Sequence, residues 1–299
     1  MRVEGKMAKI LKGAPVVEML NERMTEDVRS LKEKGIVPTL AIMRVGERPE
    51  DLSYEKGATK KAEAVGVAVR HVVLPADITQ QALDNEIMKL NGNPEIHGVL
   101  MFRPLPEGLD GERARRLLSP EKDIDGCTDG SLAGVFTNSE VGFPPCTAQA
   151  ALEVLDYYKV PLRGKRAAVV GRSLVVGRCV AMMLMHRDAT VSICHTKTED
   201  VASVTSRCDV VITAAGQLHY YGKEYANESQ TIIDVGINWD EAKGGISGDV
   251  DFETVEPVVK ALTPVPGGVG AVTSCVLISH VVEAAKRAMA GAVEAAERE

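Results

Sequence analysis

Short β-rich runs alternate with amphipathic helical stretches along most of the chain, and this alternation restricts the fold more than any other feature. The pattern is typical of α/β proteins with a mostly parallel sheet, because parallel strands need a crossover helix between them. A second strand–helix series begins at Thr147, so the 299 residues are predicted to form two α/β domains. The predicted strands are 38–45, 67–74, 97–102, 166–170, 190–194, 210–213 and 231–235, and the predicted helices are 14–34, 51–65, 79–91, 111–118, 147–158, 177–186 and 272–296.

The passage 119–145 separates the two series and is rich in Asp, Gly and Pro. Loops of that length inside a compact protein are uncommon and are usually functional. We therefore interpret it as a functional loop and not as a linker.

Composition excludes several classes of protein. A formal net charge of −7 argues against nucleic-acid and anionic-membrane partners, since both need a basic surface. No apolar run reaches the roughly 18 residues of a membrane span, and the charged N-terminus shows no secretory segment. The six cysteines lie far apart without a C-x-x-C pair, which is typical of neither a zinc site nor a disulfide framework. We expect a cytoplasmic protein without a bound metal.

A strand-to-helix turn in the second series predicts an anion site. The apolar strand 166–170 runs directly into Gly171, and Gly177 follows at a helix start, so backbone N–H groups and the helix dipole can face a phosphate. The spacing is not G-x-G-x-x-G, and a tight turn that merely needs glycine explains it equally well. No acid follows the next strand, where NAD-binding units hold the ribose. Arg172, Thr196 and Lys197 could instead surround a 2′-phosphate, which favours NADP over NAD.

The segment 262–273 packs prolines and glycines into one short loop before a helix. Proline fixes φ, and glycine lets the backbone approach a ligand closely. A purely structural loop rarely needs both at this density, so we interpret the loop as part of a binding site.

The motifs together resemble those of the methylenetetrahydrofolate dehydrogenase/cyclohydrolase family. They occur in that family's order and cover nearly the whole chain: KDIDG at 122–126, PCT at 145–147, GRS at 171–173 with Gly177, DVGIN at 234–238, GDV at 248–250 and PVPGGVG at 264–270. The resemblance implies a folate-binding catalytic domain, 1–146 with 274–299, and a Rossmann-type NADP domain, 147–273, with a cleft between them. It also implies a homodimer that oxidises 5,10-methylenetetrahydrofolate to the 5,10-methenyl cation, which most members then hydrolyse to 10-formyltetrahydrofolate.

The resemblance also implies roles for individual residues. Tyr54 matches the tyrosine that packs against the folate, and Asp125 matches the acid that holds the pterin's amino edge. A carboxylate suits two adjacent donors, although a turn-capping aspartate would explain Asp125 without the family context. The implied substrate site also includes Met101, Phe102, Arg103, Pro266, Gly267, Gly268, Val269 and Gly270; the implied cofactor site includes Gly171, Arg172, Ser173, Gly177, Thr196, Ile237 and Thr273.

The chain departs from the family pattern at Ala58, where the family has a lysine one helical turn after the tyrosine. Phe102 stands at the family's glutamine, and Arg103 follows it in place of leucine. Ala271 replaces a proline and carries little meaning. Lys60 and Gly66 keep the family register, which secures the alignment at position 58.

Both main departures affect hydrolysis. Hydride transfer needs mainly geometry, whereas hydrolysis of the methenyl cation needs a group that moves protons, for which a buried lysine is suited. We therefore predict an NADP-dependent dehydrogenase with weak or absent cyclohydrolase activity, which would rely on a separate cyclohydrolase in the cell. Three alternatives remain open: a bifunctional enzyme in which Lys61 substitutes, a folate-binding protein without turnover, and a different Rossmann dehydrogenase of the shikimate type.

Overall fold

The computed structural model describes residues 7–296, with side chains to residue 293. The chain divides into two compact units. The six-stranded unit comprises the chain up to Glu18 together with Thr147–Thr273, and the three-stranded unit comprises Met19–Cys146 together with the chain from Ser274. The expected boundaries placed residues 1–18 with the folate domain. Within them, residues 7–18 group with the six-stranded unit because Lys9–Ile10 joins its sheet, while residues 1–6 and 297–299 lie outside the described part.

The three-stranded unit is built on a small parallel sheet. Its strands are β2 (Thr39–Val45), β3 (Ala68–Leu74) and β4 (Gly98–Met101), in the order β3-β2-β4. The central strand β2 is apolar and almost wholly buried, as a strand covered on both faces should be. The helices of this part are α1 (Gly13–Glu33), α2 (Pro49–Ala64), α3 (Gln80–Gly92), α4 (Gly111–Leu117), α5 (Asp129–Thr137) and α10 (Val269–Ala296); the unit boundaries fall within α1 and α10.

The six-stranded unit has a parallel sheet in the order β1-β11-β8-β7-β5-β6. Its strands are β1 (Lys9–Ile10), β5 (Arg166–Val170), β6 (Thr190–Cys194), β7 (Val210–Thr213), β8 (Thr231–Asp234) and β11 (Ala261–Leu262), and β9 (Asn238–Asp240) with β10 (Gly245–Ser247) forms a separate hairpin. Its helices are α6 (Cys146–Tyr157), α7 (Gly177–Met185), α8 (Val201–Thr205) and α9 (Phe252–Val255). The strand order reverses between β5 and β7, which is the doubly wound arrangement.

The two-domain α/β prediction is confirmed, and each predicted strand and helix lies within three residues of an observed one. The loop prediction for 119–145 was wrong in part. That passage contains a 3₁₀ turn at Pro120–Lys122 and helix α5, whose first turn is capped by the Thr128 hydroxyl accepting from the Ser131 amide.

The prediction that no segment is apolar enough to span a membrane also needs correction. The stretch Val269–Val293 of α10 is long enough for a membrane span and has a mean hydropathy of 1.3, which is high enough for one, because its apolar residues are interleaved with small ones. This is weak evidence for a span, since the core helix of a globular protein passes the same test. Within the protein, 61 % of that window is buried.

Candidate active site

A cavity of about 410 Å³ opens at the carboxyl ends of β5, β6 and β7 in the six-stranded unit. This is where the strand order reverses, the usual ligand position in doubly wound sheets. The predicted Gly171, Arg172, Ser173 and Thr196 all contribute to its wall. The lining residues are Val170, Gly171, Arg172, Ser173, His195, Thr196, Thr198, Ala214, Ala215, Gln217 and Tyr220.

The turn after β5 has room only for glycine. Gly171 has a φ of +131°, and a Cβ there would lie 2.1 Å from the Ala214 carbonyl oxygen. A Cβ on Gly177 would lie 2.3 Å from the Gly171 carbonyl oxygen, and the Gly177 amide donates to Ser173 Oγ at 3.2 Å. The bare backbone and the start of α7 thus form a cradle that fits the phosphates of a dinucleotide.

The cavity wall carries a cation after β5 and hydroxyls after β6. Arg172, Thr196 and Thr198 belong to it, and none of the described lining residues is acidic. Gly177, Lys197 and Thr273, which sequence reasoning placed with the cofactor, are not among these lining residues. Thr273 lies in the first turns of α10 and donates to the Val269 carbonyl at 3.3 Å.

A second cavity of about 360 Å³ lies in the same unit, between the carboxyl end of β8 and the proline–glycine loop. It brings together Ile237, predicted to contact the cofactor, and Pro266, Gly267, Gly268 and Gly270, predicted to contact substrate. Ile237 is 66 % exposed, whereas Val269 is buried. The loop is held partly by the Gly13 amide, which donates to the Gly267 carbonyl at 2.8 Å.

Two buried carboxylates hold the loops around both cavities. Asp249 accepts from the amides of Ala215, Gly216 and Gln217, at 2.6, 3.1 and 2.9 Å. Asp234 accepts at 2.9 Å from the amide of Val250. Burial raises the pKa of Asp234 to about 6.

In the three-stranded unit, the predicted aromatic residues meet. Tyr54 on α2 is 45 % exposed, and its ring contacts Phe102 edge-to-face with centroids 5.7 Å apart. Phe102 directly follows β4 and is buried. Desolvation, with the nearby charge of Asp125, raises the pKa of Tyr54 to about 12, so its hydroxyl stays protonated. Met101 is also buried and packs in a core cluster; its predicted contact with substrate stays a prediction.

Asp125 faces a cation that the family pattern lacks. Arg103 Nη2 lies 3.4 Å from Asp125 Oδ2, and roughly a third of each side chain remains exposed. Burial raises the pKa of Asp125, and the neighbouring Arg103 opposes that shift. The carboxylate is thus accessible for hydrogen bonding and is already engaged by a guanidinium.

The loop that carries Asp125 is anchored from beneath. The Ile124 carbonyl accepts from Cys146 Sγ at 3.1 Å and contacts His280 Nδ1 at 2.7 Å. Asp123 accepts from the Thr128 amide at 2.7 Å. Burial lowers the pKa of His280 to about 4, so this imidazole is neutral at pH 7. Helix α10 therefore helps to position Asp125 through the backbone beside it.

Comparison with known proteins shows which family the chain belongs to. Residues 11–125 match the family model of the tetrahydrofolate dehydrogenase/cyclohydrolase catalytic domain, and residues 145–289 match that of the NAD(P)-binding domain of the same enzymes. The chain belongs to the tetrahydrofolate dehydrogenase/cyclohydrolase family. The bifunctional protein FolD of Carboxydothermus hydrogenoformans is 46 % identical, over 93 % of this chain and 97 % of the relative.

Solved structures agree with this family membership. The bifunctional FolD methylenetetrahydrofolate dehydrogenase/cyclohydrolase of Campylobacter jejuni is 36 % identical, with a TM-score of 0.89, covering 94 % of this chain and 99 % of that one. The Trypanosoma brucei FolD enzyme, solved with NADP cofactor and an inhibitor, is 33 % identical with a TM-score of 0.85, covering 95 % and 99 %. The six-stranded unit is thus the NAD(P)-binding part of a family member, and the three-stranded unit holds most of the folate-type catalytic domain.

This family member offers no proton-transfer group one helical turn after Tyr54. Ala58 is 5 % exposed and ends in a methyl group. Lys61 lies one turn further on and donates from Nζ to Ser274 Oγ at 2.7 Å, and burial lowers its pKa. Sequence reasoning identified both residues but could not place the partner of Lys61, which comes from α10.

Sequence reasoning assigned no role to Asp234 or Asp249. Both were visible in the motifs DVGIN and GDV, but only as marks of family resemblance. The available signal was an acid close to a glycine in each motif. The structure gives the reason for one of these glycines, because a Cβ on Gly236 would lie 2.3 Å from Asp249 Oδ1. That pattern indicates a carboxylate seated against backbone.

Proposed function

We propose that the protein is an NADP-dependent 5,10-methylenetetrahydrofolate dehydrogenase with weak or absent methenyltetrahydrofolate cyclohydrolase activity. The carrying observation is the pair of apolar groups beside Tyr54: the buried methyl of Ala58 one turn along α2, and the Phe102 ring at 5.7 Å. The substrate class and the redox half of the reaction rest on family membership and on the two described sites.

Substrate recognition is assigned to Asp125 and Tyr54. A carboxylate that is partly exposed can accept the two adjacent donors of a pterin edge in bidentate fashion. The half-exposed Tyr54 ring offers an aromatic face for packing. Arg103 would have to yield part of its contact with Asp125 when the donors arrive.

Hydride transfer does not need a side chain that donates or accepts a proton. The folate nitrogen beside the methylene carbon stabilises the cation as the hydride leaves, so no protein group has to move a proton. NADP⁺, when bound, supplies the hydride acceptor. The protein contributes binding and orientation, which can provide several orders of magnitude in rate. The glycine cradle at Gly171 and the carboxylate of Asp125 are both suited to that work.

Hydrolysis of the methenyl cation makes a different demand. Water must be activated, an intermediate protonated and a C–N bond broken, which is general acid–base catalysis. Ala58 has no titratable group, and Phe102 cannot hydrogen bond. Losing such help costs about 10²–10⁴-fold in rate, which would leave hydrolysis near its uncatalysed level.

A bifunctional enzyme that uses Lys61 is the second candidate. It is favoured by burial, which lowers the pKa of Lys61 and so shifts it in the direction that general acid–base catalysis needs. Two features oppose it: Nζ already donates to Ser274 Oγ, and Lys61 is seven residues from Tyr54, about 10 Å along the helix axis, compared with about 6 Å for position 58.

An optical assay separates these possibilities. Enzyme, methylenetetrahydrofolate and NADP⁺ are mixed, and the methenyl species is followed as it forms and decays. We expect formation with decay no faster than in buffer. Decay at an enzymatic rate that disappears in Lys61→Met, but persists in the exposed control Lys60→Met, would establish the bifunctional alternative. Absence of turnover with either nucleotide would favour a folate-binding protein without catalysis.

The preference for NADP over NAD is part of the proposal. It is supported by Arg172, Thr196 and Thr198 in the cavity wall, because a guanidinium binds phosphate strongly. Arg172→Gln should raise the KM for NADP⁺ much more than the KM for NAD⁺. The exposed Arg163, which lies outside the cavity wall, is changed to Gln as the control. Equal effects on the two nucleotides would contradict the assignment.

We also propose that the enzyme is a homodimer, as the family resemblance implies. Strand β6 is the last in its sheet and presents Ile193, which is substantially exposed, at an edge that could pair with another strand. Light scattering should give twice the chain mass. Ile193→Lys should weaken any dimer that uses this edge.

A further inference from the structure

Asp249 lies at a junction that no cofactor or substrate role explains. Its side chain is completely buried. Oδ2 accepts from the amides of Ala215 and Gly216, and Oδ1 accepts from the Gln217 amide and from Asn238 Nδ2 at 2.9 Å. Three successive backbone donors therefore converge on one carboxylate.

The donors belong to a segment that the sheet cannot hold. Strand β7 ends at Thr213, and the Ala214 amide still donates to the Val170 carbonyl of β5 at 2.7 Å, so the donors at 215–217 lie past the last of these hydrogen bonds. Ala214, Ala215 and Gln217 nevertheless form part of the wall of the nucleotide cavity. The amides of residues 215–217 have no strand partner in this irregular backbone, so they need another acceptor. Asp249 provides that acceptor.

Asp249 is itself positioned by Asp234, at the end of β8. Asp234 Oδ1 accepts from the Asp249 amide at 3.2 Å and from Thr213 Oγ1 at 2.9 Å. The Gly236 amide donates to the same oxygen at 2.9 Å. The two carboxylates thus link the ends of β7 and β8 with the segment 248–250.

The glycines around the pair show how closely it is packed. A Cβ on Gly236 would lie 2.3 Å from Asp249 Oδ1, and a Cβ on Gly248 would lie 1.9 Å from Asp234 Oδ2. A longer side chain at 249 would meet the same obstruction. The geometry therefore specifies an aspartate at this position.

We propose that Asp249 is a positioning residue for nucleotide binding: its carboxylate holds the segment 215–217 in the shape that accepts the dinucleotide. Asp234 supports it from the end of β8. The ionised carboxylate matters because hydrogen bonds to a charged acceptor are about twice as strong as neutral ones. An amide at 249 would also turn an NH₂ group toward backbone donors.

The decisive variant is Asp249→Asn, tested by direct NADP⁺ binding in calorimetry with the full-length protein. We expect the Kd to rise roughly 10- to 100-fold, from the loss of one or two charge-assisted hydrogen bonds. In turnover, the KM for NADP⁺ should rise while kcat at saturation and the KM for the folate substrate change less than about threefold. A merely structural aspartate would lower stability without this split.

Asp251→Asn is the matched control, because Asp251 is two residues away and makes no side-chain cap hydrogen bond in α9; its Kd should not change. If Asp249→Asn does not fold, the test is Asn238→Ala, which removes one hydrogen-bond donor to Asp249 and leaves the carboxylate charge. We then expect the Kd for NADP⁺ to rise roughly threefold. A folded Asp249→Asn protein, or failing that Asn238→Ala, with wild-type affinity overturns the inference. Binding is measured without turnover, so the Kd values would remain interpretable even if the proposed dehydrogenase activity were absent.

Discussion

Removal of Glu55 should uncouple helix α2, which carries Tyr54, from the sheet beneath it. Glu55 Oε2 lies 2.7 Å from Arg44 Nε on β2, and the two side chains are only 11 % and 10 % exposed. The other oxygen of Glu55 contacts His71 Nδ1 on β3. In Glu55→Ala, Arg44 keeps its contact with the Gly46 carbonyl and a distant, exposed partner in Glu47 at 3.9 Å, but loses its buried counter-charge.

The expected magnitude follows from that burial. Breaking a buried ion pair by removing one partner typically costs about 3–5 kcal/mol, because it leaves an uncompensated charge. A domain of ordinary stability has about 5–15 kcal/mol in total, so the loss is large. Replacing both partners with apolar residues is often neutral. The double variant with Arg44→Met and Glu55→Leu should therefore recover to within about 1 kcal/mol of wild type.

Hydrogen exchange is the appropriate assay, because a chain of two units need not unfold in one step. Amides of β2 and α2 report on the three-stranded unit alone. The exposed Glu63 on the same helix, changed to Ala, serves as control and should cost under about 0.5 kcal/mol. The reasoning is refuted if Glu55→Ala loses less than about 1 kcal/mol, or if the double variant is no better than the single one.

Three further outcomes are expected. Gly171→Ala places a Cβ 2.1 Å from a carbonyl oxygen and should abolish NADP⁺ binding in calorimetry, whereas Gly164→Ala, where φ is +71° with open space around it, should keep it at a strain cost of about 1–3 kcal/mol. The pKa of His280 is lowered from 6.5 to about 4, so the stability present above pH 6.5 should fall by about 3 kcal/mol as the pH drops through 4. Denaturant titrations at several pH values should show this fall, and an unchanged dependence of stability on pH in His280→Gln would contradict it. Arg103→Leu frees Asp125 from a partly exposed ion pair and should lower the KM for the folate substrate by up to about fivefold in steady-state kinetics; an unchanged or higher KM would count against this.

The elements that sequence predicted well are those whose signal is local. Strand β5 is a continuous apolar run and was located to the residue. The strands β1 and β11 have two residues each, too few to show any periodicity, and they exist only because they pair with one another and with β8. The hairpin of β9 and β10 was missed for the same reason, since short strands depend on their partners.

The same distinction between local patterns and distant partners applies to the residues of the site. The glycine at 171 was predictable because a strand that runs into a helix through one bare residue is a local pattern. Asp249 was not, because its partners Ala215 and Gln217 lie more than thirty residues earlier in the chain. Met101 was assigned to the substrate site from its place in a motif; all four residues of β4 are buried, and Met101 packs in the core cluster, so its substrate role stays a prediction.

The balance of charge around the folate-type site supports a separation of the two half-reactions. Against the family pattern, a lysine is absent at position 58 and an arginine is present at position 103. Arg103 places a positive charge 3.4 Å from Asp125. A guanidinium preserves electrostatic balance but cannot release its proton near neutral pH. Binding and hydride transfer need only charge and geometry, so they can survive this exchange. Hydrolysis needs a group that cycles its proton, which Ala58 cannot provide, and for this reason we propose that it is weak or absent.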